Sequence, residues 1–269
     1  MTLAVFGWLC AATSVALGAV YMLAAGAPLR YTLVNAAALA VGVIVASFIR
    51  RVPVRYRRFG GASTVAIGLL LLATAVFGVR IEGAARWIGV AGIPLQPSLI
   101  LLPTAMVHFA RDRRWPSSIG LVIAGIALGM QPDRAMAGTL AAGLAVLWLQ
   151  RREPPVTLAV VAAISGLAAT MVRADVVAPV SFVEQVVQAA FALHLLTGMA
   201  IVAGLATMLL PAAAGLGVHT TEGEVFAVFG ATWLSVVAFA IVGNYPTPLV
   251  GYGSSAILGY CLSVAALSR

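Results

Sequence analysis

Gly83-Ala-Ala-Arg86-Trp87-Ile88, followed eight residues later by Gln96-Pro97-Ser98, is an organised polar patch in a chain that is otherwise mostly hydrocarbon-soluble. It lies between two apolar segments, and an arginine beside a tryptophan is the pairing found where a chain meets the edge of a bilayer. The stretch reads as a re-entrant or interfacial loop. The 269 residues around it are 62% hydrophobic and 9% charged, with a mean hydropathy of +1.06. A soluble domain cannot hide that much apolar surface, so the solvent for most of this chain is lipid.

A spanning helix needs about 20 predominantly apolar residues, fewer where neighbours shield it. Ten spans are predicted, near 3–25, 31–49, 62–79, 94–110, 117–130, 135–150, 156–172, 182–210, 224–243 and 252–268. The fifth is short and the eighth is long enough to tilt or kink. The first apolar segment has no basic stretch before it and is too long for a signal peptide, so it is expected to persist in the mature protein. Connections are short. The fold class expected is therefore all-α, one polytopic membrane helix bundle over residues 1–269, without a soluble domain.

All 16 basic residues are arginine, and the formal charge is +8. With the N-terminus in the cytoplasm, the inner loops and the C-terminus hold eleven arginines: 50, 51, 55, 57, 58, 111, 113, 114, 151, 152 and 269. The outer loops hold five: Arg30, Arg80, Arg86, Arg134 and Arg173. That excess predicts both termini in the cytoplasm. Basic residues split among short loops do not form a nucleic-acid surface, so no nucleic-acid partner is expected. Cys10 and Cys261 lie in apolar segments without metal-ligand spacing and read as small buried hydrophobes. No metal site or cofactor is predicted. Walker loops, dinucleotide fingerprints and nucleophile elbows are absent.

In this topology three motifs share the outer face. The first is the Gly83–Ser98 patch. The second is Gln131-Pro132-Asp133, between spans five and six. The third is Pro246-Thr-Pro-Leu-Val-Gly-Tyr252-Gly-Ser254-Ser255, between spans nine and ten. Each alone has a structural reading: an interfacial anchor for Arg86 and Trp87, a helix stop and cap for Pro132 and Asp133, close packing at a helix start for the glycines and serines.

Together and in this order they resemble the FtsW/RodA/SpoVE (SEDS) family, membrane proteins of bacterial cell elongation, division and sporulation. The family pattern runs GA-x-RWI, QPSE, QPDLGT and PLPF-x-SYGGSS. Gly83, Ala84, Arg86, Trp87, Ile88, Gln96, Pro97 and Ser98 match the first two parts, Gln131 to Asp133 the third, and Pro246, Pro248, Tyr252, Gly253 and Ser255 the last. The resemblance implies a multi-pass protein of the bacterial cytoplasmic membrane acting in cell-wall synthesis, cell shape or division. It implies a polyprenyl-linked precursor, lipid II, polymerised by glycosyl transfer, and a class B penicillin-binding transpeptidase as partner. Substrate-binding residues by that resemblance are Arg86, Trp87, Gln96, Ser98, Gln131, Asp133, Tyr252, Ser254 and Ser255.

The chain departs from the family where chemistry is expected. The family's presumed general base is an aspartate on a large outer loop, in a segment resembling HTDFIFAVIGEELG. Here that loop shrinks to about nine residues. Pro179-Val-Ser181-Phe182-Val-Glu184 aligns with it, placing Ser181 at the aspartate and Ala189 and Ala190 at the Glu-Glu pair. An alternative alignment on His219-Thr220 and Phe226-Ala-Val228 falls on the cytoplasmic side and is rejected. A serine alone is no base near neutral pH. Glu184 and Asp133 are the catalytic candidates that remain. Glu184 also reads as the partner of Ser181 in a capping box at the start of span eight, and Asp133 as the partner of an arginine such as Arg134 or Arg86. Leu99 and Leu102 stand where the family has an acid and a base, and Arg134-Ala-Met136 follows Gln131-Pro-Asp.

Other polar residues read as structural. Asp175 pairs with Arg173, His108 and His194 are packed or hydrogen-bonded, and His219, Glu222 and Glu224 form a solvated helix start capped by Thr220 or Thr221. Three functions stay open. One is a family member that binds a precursor or partner with doubtful glycosyltransferase activity, which the departures favour. Another is a working glycosyltransferase using Glu184 or Asp133. The third is a structural subunit or lipid-linked substrate carrier in a different membrane complex.

Overall fold

A computed structural model describes residues 1–51, 60–90, 92–172, 177–215, 217–218 and 220–268. Arg55, Arg57, Arg58, Arg173, Asp175, His219 and Arg269 lie outside the described residues. The helices are α1 (Leu3–Ala24), α2 (Leu29–Arg51), α3 (Gly60–Phe77), α4 (Pro97–Asp112), α5 (Trp115–Met130), α6 (Arg134–Gln150), α7 (Pro154–Met171), α8 (Val186–Leu193), α9 (Leu195–Ala213), α10 (Thr221–Val242) and α11 (Ser254–Leu267). Helices α1, α2, α7, α9 and α10 are each long and apolar enough to cross a membrane. The protein is a polytopic helical membrane protein.

Prolines and caps set the helix starts. Pro97, Pro116 and Pro154 occupy the first turns of α4, α5 and α7, where a missing N–H removes no helical bond. The predicted eighth span is broken. His194 adopts an extended backbone, ends α8 and starts α9, and its ring nitrogen accepts from the Leu196 amide at 3.1 Å. The kink thus comes from a hydrogen-bonding side chain rather than from proline or glycine.

Packing follows small residues. α5 lies between α3 and α7, and a Cβ on Gly120 would stand 2.4 Å from the Thr64 carbonyl carbon, one on Gly166 2.4 Å from the Gly125 oxygen. Without side chains in the way, backbones approach and dispersion replaces the missing hydrophobic drive between helices. Helix α11 packs on α4, α2 and α1, and its large side chains are tied down through polar tips. Tyr260 donates to the Met208 carbonyl at 2.6 Å, and Trp233 of α10 donates to Ser263 at 3.1 Å. A buried tyrosine or tryptophan needs such a partner.

The polar patch between α3 and α4 is a small antiparallel sheet, not a re-entrant loop. Strands β1 (Val79–Ile81), β2 (Ala84–Val90) and β3 (Ile93–Leu95) pair in that order. Glu82 and Gly83, with φ of 47° and 85°, make the two-residue turn between β1 and β2. Positive φ at both central residues matches the twist of a tight hairpin. The sheet shortens the neighbouring helices, so α3 ends at Phe77 and α4 begins at Pro97.

Candidate functional site

The three motifs meet at the hairpin end of the bundle. Asp133, 0% exposed, caps α6 by accepting from the Met136 amide at 3.2 Å. Its other oxygen accepts from the Gln96 side-chain amide at 2.8 Å and from the Ser98 hydroxyl at 2.9 Å. The Gln96 backbone N–H donates to the Ser255 hydroxyl at 2.9 Å, which draws in the third motif. Gln131 is buried and donates to the Leu71 carbonyl at 2.7 Å. Arg86, 4% exposed, donates to the Pro132 carbonyl and lies over the rings of Trp87 and Tyr245. The partners seen for Asp133 are therefore an amide, a hydroxyl and a backbone N–H, while Arg86 engages the residue before it.

Two loops close over this knot. Thr247 N–H donates to the Val183 carbonyl at 2.8 Å and Tyr252 N–H to the Phe182 carbonyl at 2.6 Å, joining the 244–253 loop to the segment before α8. Gly251 is required there, because a Cβ would stand 2.8 Å from the Thr247 oxygen and 3.1 Å from that of Phe182. Asn35 of α2 donates to the Gly251 carbonyl at 2.8 Å and accepts from Gly253 N–H at 3.1 Å. Tyr31 stacks on Tyr252 with centroids 3.9 Å apart, fixing the ring that faces inward.

These elements enclose a cavity of about 430 Å³, within the range of small-molecule sites. Trp87, Gln96, Tyr252, Ser254 and Ser255 line it, as do Glu184, Glu82 and Thr247. Arg86 lines a recess of about 20 Å³ behind it, which shares Trp87, Gln96 and Glu184 with the larger space. Ser98, Gln131 and Asp133 line neither; they build the wall from within. Ser181 is exposed and faces a neighbouring opening of about 700 Å³ that also reaches Glu184.

The capping box at Ser181 and Glu184 does not form. Helix α8 begins only at Val186, after Gln185 in a left-handed conformation, and no side chain caps it. Glu184 turns back instead: its carboxylate accepts from the Val180 amide at 2.6 Å, while its own N–H donates to the Val180 carbonyl at 3.1 Å. Desolvation pushes this carboxyl up to about 7, against the pull of the Val180 amide, of its own backbone N–H and of the Arg86 charge. The result is a half-buried acid on the wall of all three spaces, close to neutrality in water.

At the opposite end, Glu224 is 7% exposed and bridges Arg113 at 3.2 Å and Arg151 at 2.7 Å. It is a buried clamp rather than a solvated helix start. Thr220 precedes α10 but makes no side-chain cap. Among the described residues no cluster of three metal-ligating side chains occurs. The sequence reading missed Glu82 and Thr247. The signal for Glu82 was present in the two-residue X-Gly turn flanked by strand-forming residues; Thr247 carried none.

A family model for the FtsW/RodA/SpoVE cell cycle proteins matches residues 1–188. An Enterococcus hirae protein named as a probable peptidoglycan glycosyltransferase FtsW is 33% identical over 112 residues, 38% of this chain and 28% of that protein's length. Thermus thermophilus rod shape determining protein RodA superposes with a TM-score of 0.69 over 96% of this chain and 93% of that one, at 18% identity. A chain from a peptidoglycan synthase complex that coordinates polymerization and crosslinking superposes with a TM-score of 0.62, covering 97% of this chain and 96% of its own, also at 18% identity. Those two likenesses are of fold. With the family match spanning well over half of its residues, and all three motifs gathered at one cavity, this chain belongs to the FtsW/RodA/SpoVE family of cell cycle membrane proteins.

Proposed function

We propose that this chain binds a polyprenyl-linked peptidoglycan precursor in the cavity at the hairpin end, and that this end faces away from the cytoplasm. The observation that carries the reading is convergence. Trp87 and Gln96 of the first motif and Tyr252, Ser254 and Ser255 of the third line one space, and Asp133 of the second is tied to its wall through Gln96 and Ser98. The arginine excess at the other end supports both termini lying in the cytoplasm. In this reading Arg86, buried beside the recess behind the main space, contributes a desolvated positive charge to the wall. A membrane transpeptidase of the penicillin-binding class is the partner that the family resemblance proposes, in keeping with the fold shared with a peptidoglycan synthase subunit.

One observation favours a second reading, glycosyl transfer. Glu184 faces the cavity and is pushed up to about 7, the range in which a carboxylate serves as general base at neutral pH. It would take the proton of an acceptor sugar hydroxyl as that oxygen bonds to the anomeric carbon. The anomeric carbon–oxygen bond breaks and undecaprenyl diphosphate leaves with the electron pair. Asp133 is the less suited acid, since it is enclosed and its oxygens already accept three bonds.

The test is binding and polymerisation of purified lipid II by the isolated protein. Binding without glycan product supports the first reading; product that vanishes in Glu184→Gln supports the second. Absence of lipid II binding, with a stable complex lacking any transpeptidase, would move the protein to a structural or carrier role in another assembly.

A further inference from the structure

Glu184 owes its direction to the strap of chain that carries it, residues 177–185. Pro179, Val180 and Glu184 line both the main cavity and the neighbouring opening, so the strap is the partition between them. Where it lies decides which space the Glu184 carboxylate meets. The aim is set from Val180, whose amide donates to that carboxylate at 2.6 Å.

The two ends of the strap are held differently. At its far end the carbonyls of Phe182 and Val183 accept from Tyr252 and Thr247, and Gln185 donates to Asn244 at 2.8 Å. The Phe182 ring also packs against Tyr21 and Tyr31, with centroids 6.1 and 6.0 Å away. At the near end, among the described residues, two side chains reach the backbone. Asn244 donates to the Val177 carbonyl at 3.3 Å, and Glu82 accepts from the Ala178 amide at 3.0 Å. The Glu82 bond is shorter and assisted by charge, so it is the stronger tie. Ala178 precedes Val180 by two residues, which leaves their amides no more than about 7 Å apart. Fixing one constrains the other.

The hairpin turn does not by itself explain Glu82. A two-residue turn with positive φ at both positions favours Asn or Asp before Gly, yet Glu stands there at φ 47°. Its longer side chain reaches the strap, 96 residues further along the chain. That bond is exposed to water, so its loss should free the strap without unfolding the bundle.

We propose that Glu82 is a positioning residue, which holds the near end of the strap and thereby keeps the Glu184 carboxylate aimed into the main cavity. Its effect on rate rests on the glycosyl-transfer reading; the positioning itself is measurable without product. Loosening the strap wets Glu184, and its carboxyl then falls from about 7 toward the ordinary 4.5. Among the described residues, the ionisable groups sharing its spaces are Glu82 from the turn, Arg86 from β2, Tyr245 and Tyr252 from the loop before α11, and Tyr21 of α1. Removing the Glu82 charge would lower that carboxyl too, so charge and tether must be separated.

The test compares two variants of the purified full chain. Glu82→Asn suits the turn but is one methylene too short for Ala178. Glu82→Gln removes the same charge and keeps an acceptor oxygen. The first readout is the Glu184-dependent part of the melting temperature from pH 4.5 to 8, taken against the same background carrying Glu184→Gln. Glu82→Asn should lose most of it and Glu82→Gln should retain it. The second readout is lipid II polymerisation. In Glu82→Asn, kcat should fall on the order of ten-fold with KM within about two-fold of the parent. Glu82→Gln should rescue kcat to within about three-fold. A Glu82→Asn variant with an unchanged melting profile, or with unchanged kcat in an active protein, overturns the proposal, as does a Glu82→Gln variant that loses as much. A parent that makes no glycan while the melting profile changes as expected removes the transfer reading and leaves the positioning standing. A parent with neither product nor a Glu184-dependent profile overturns both.

Discussion

The two ends of the bundle handle buried acids in opposite ways. At the arginine-rich end Glu224 is held between Arg113 and Arg151, Arg113 also meets Glu153 at 3.3 Å, and Arg111 joins Glu222 to the last carbonyls of α11. Charge cancels charge there, and the helices α4, α6, α10 and α11 are stapled together. At the hairpin end, Asp133 accepts from an amide, a hydroxyl and a backbone N–H, and Glu184 and Glu82 accept from backbone amides of one segment. Dipoles stabilise these acids without consuming every lone pair, and a cavity remains beside them. An end built of ion pairs is a closure; an end built of neutral donors around carboxylates keeps polar groups available to a ligand.

The contrast can be broken most strongly at Glu224. Glu224→Ala leaves two arginines facing each other in a partly buried place, and should cost about 3 kcal/mol. Thermal unfolding of the detergent-solubilised protein should show a large drop in melting temperature with lipid II binding per folded molecule unchanged. Asp133→Ala should cost somewhat less, about 2 kcal/mol, through the lost cap and the stranded Gln96 and Ser98 donors. Here binding should fall together with stability, since the wall of the cavity loosens; a stability loss with intact binding would make Asp133 a cap only.

Glu184 sharpens the comparison with the smallest effect on stability. Its carboxyl is raised from an ordinary 4.5 to about 7, so the folded state binds the proton more tightly than the unfolded chain. The associated stabilisation is fully present below about 4.5 and is lost as pH rises through about 7. Glu184→Gln should flatten that dependence and melt slightly higher than the parent at pH 8. If Glu184 is the base, parent activity should climb through the same pH window and the Gln variant should stay inactive. A melting curve independent of Glu184 across pH 4.5–8 would show that burial does not perturb this acid.

Particular residues show how far the sequence could be read. The positions of α1, α2, α7 and α10 follow from apolar runs of bilayer length, and the structure places them within a few residues of the expected spans. Gln96, Ser98, Asp133 and Ser255 belong to the group that the family resemblance picked out, and these four share one network. The sheet over Val79–Leu95 was not anticipated, because a period-two pattern of a few residues is weak beside long hydrophobic helices. The capping box at Ser181 was also misread: the local pattern is satisfied on paper, but Tyr252 and Thr247 bond the carbonyls of Phe182 and Val183 and hold the chain out of helix until Val186.

By itself the sequence determined that this chain lives in lipid, that apolar helices thread it there, and which family it resembles. Those properties are sums over many residues or fixed local letters, and need no knowledge of distant contacts. Only the tertiary structure decided that Glu184 and Glu82 share one cavity, that Asp133 builds its wall rather than facing it, and that Glu224 is a buried clamp. Each of these depends on segments tens to hundreds of residues apart coming together, and on which amide or guanidinium reaches a carboxylate first. A short linear pattern carries no record of that competition.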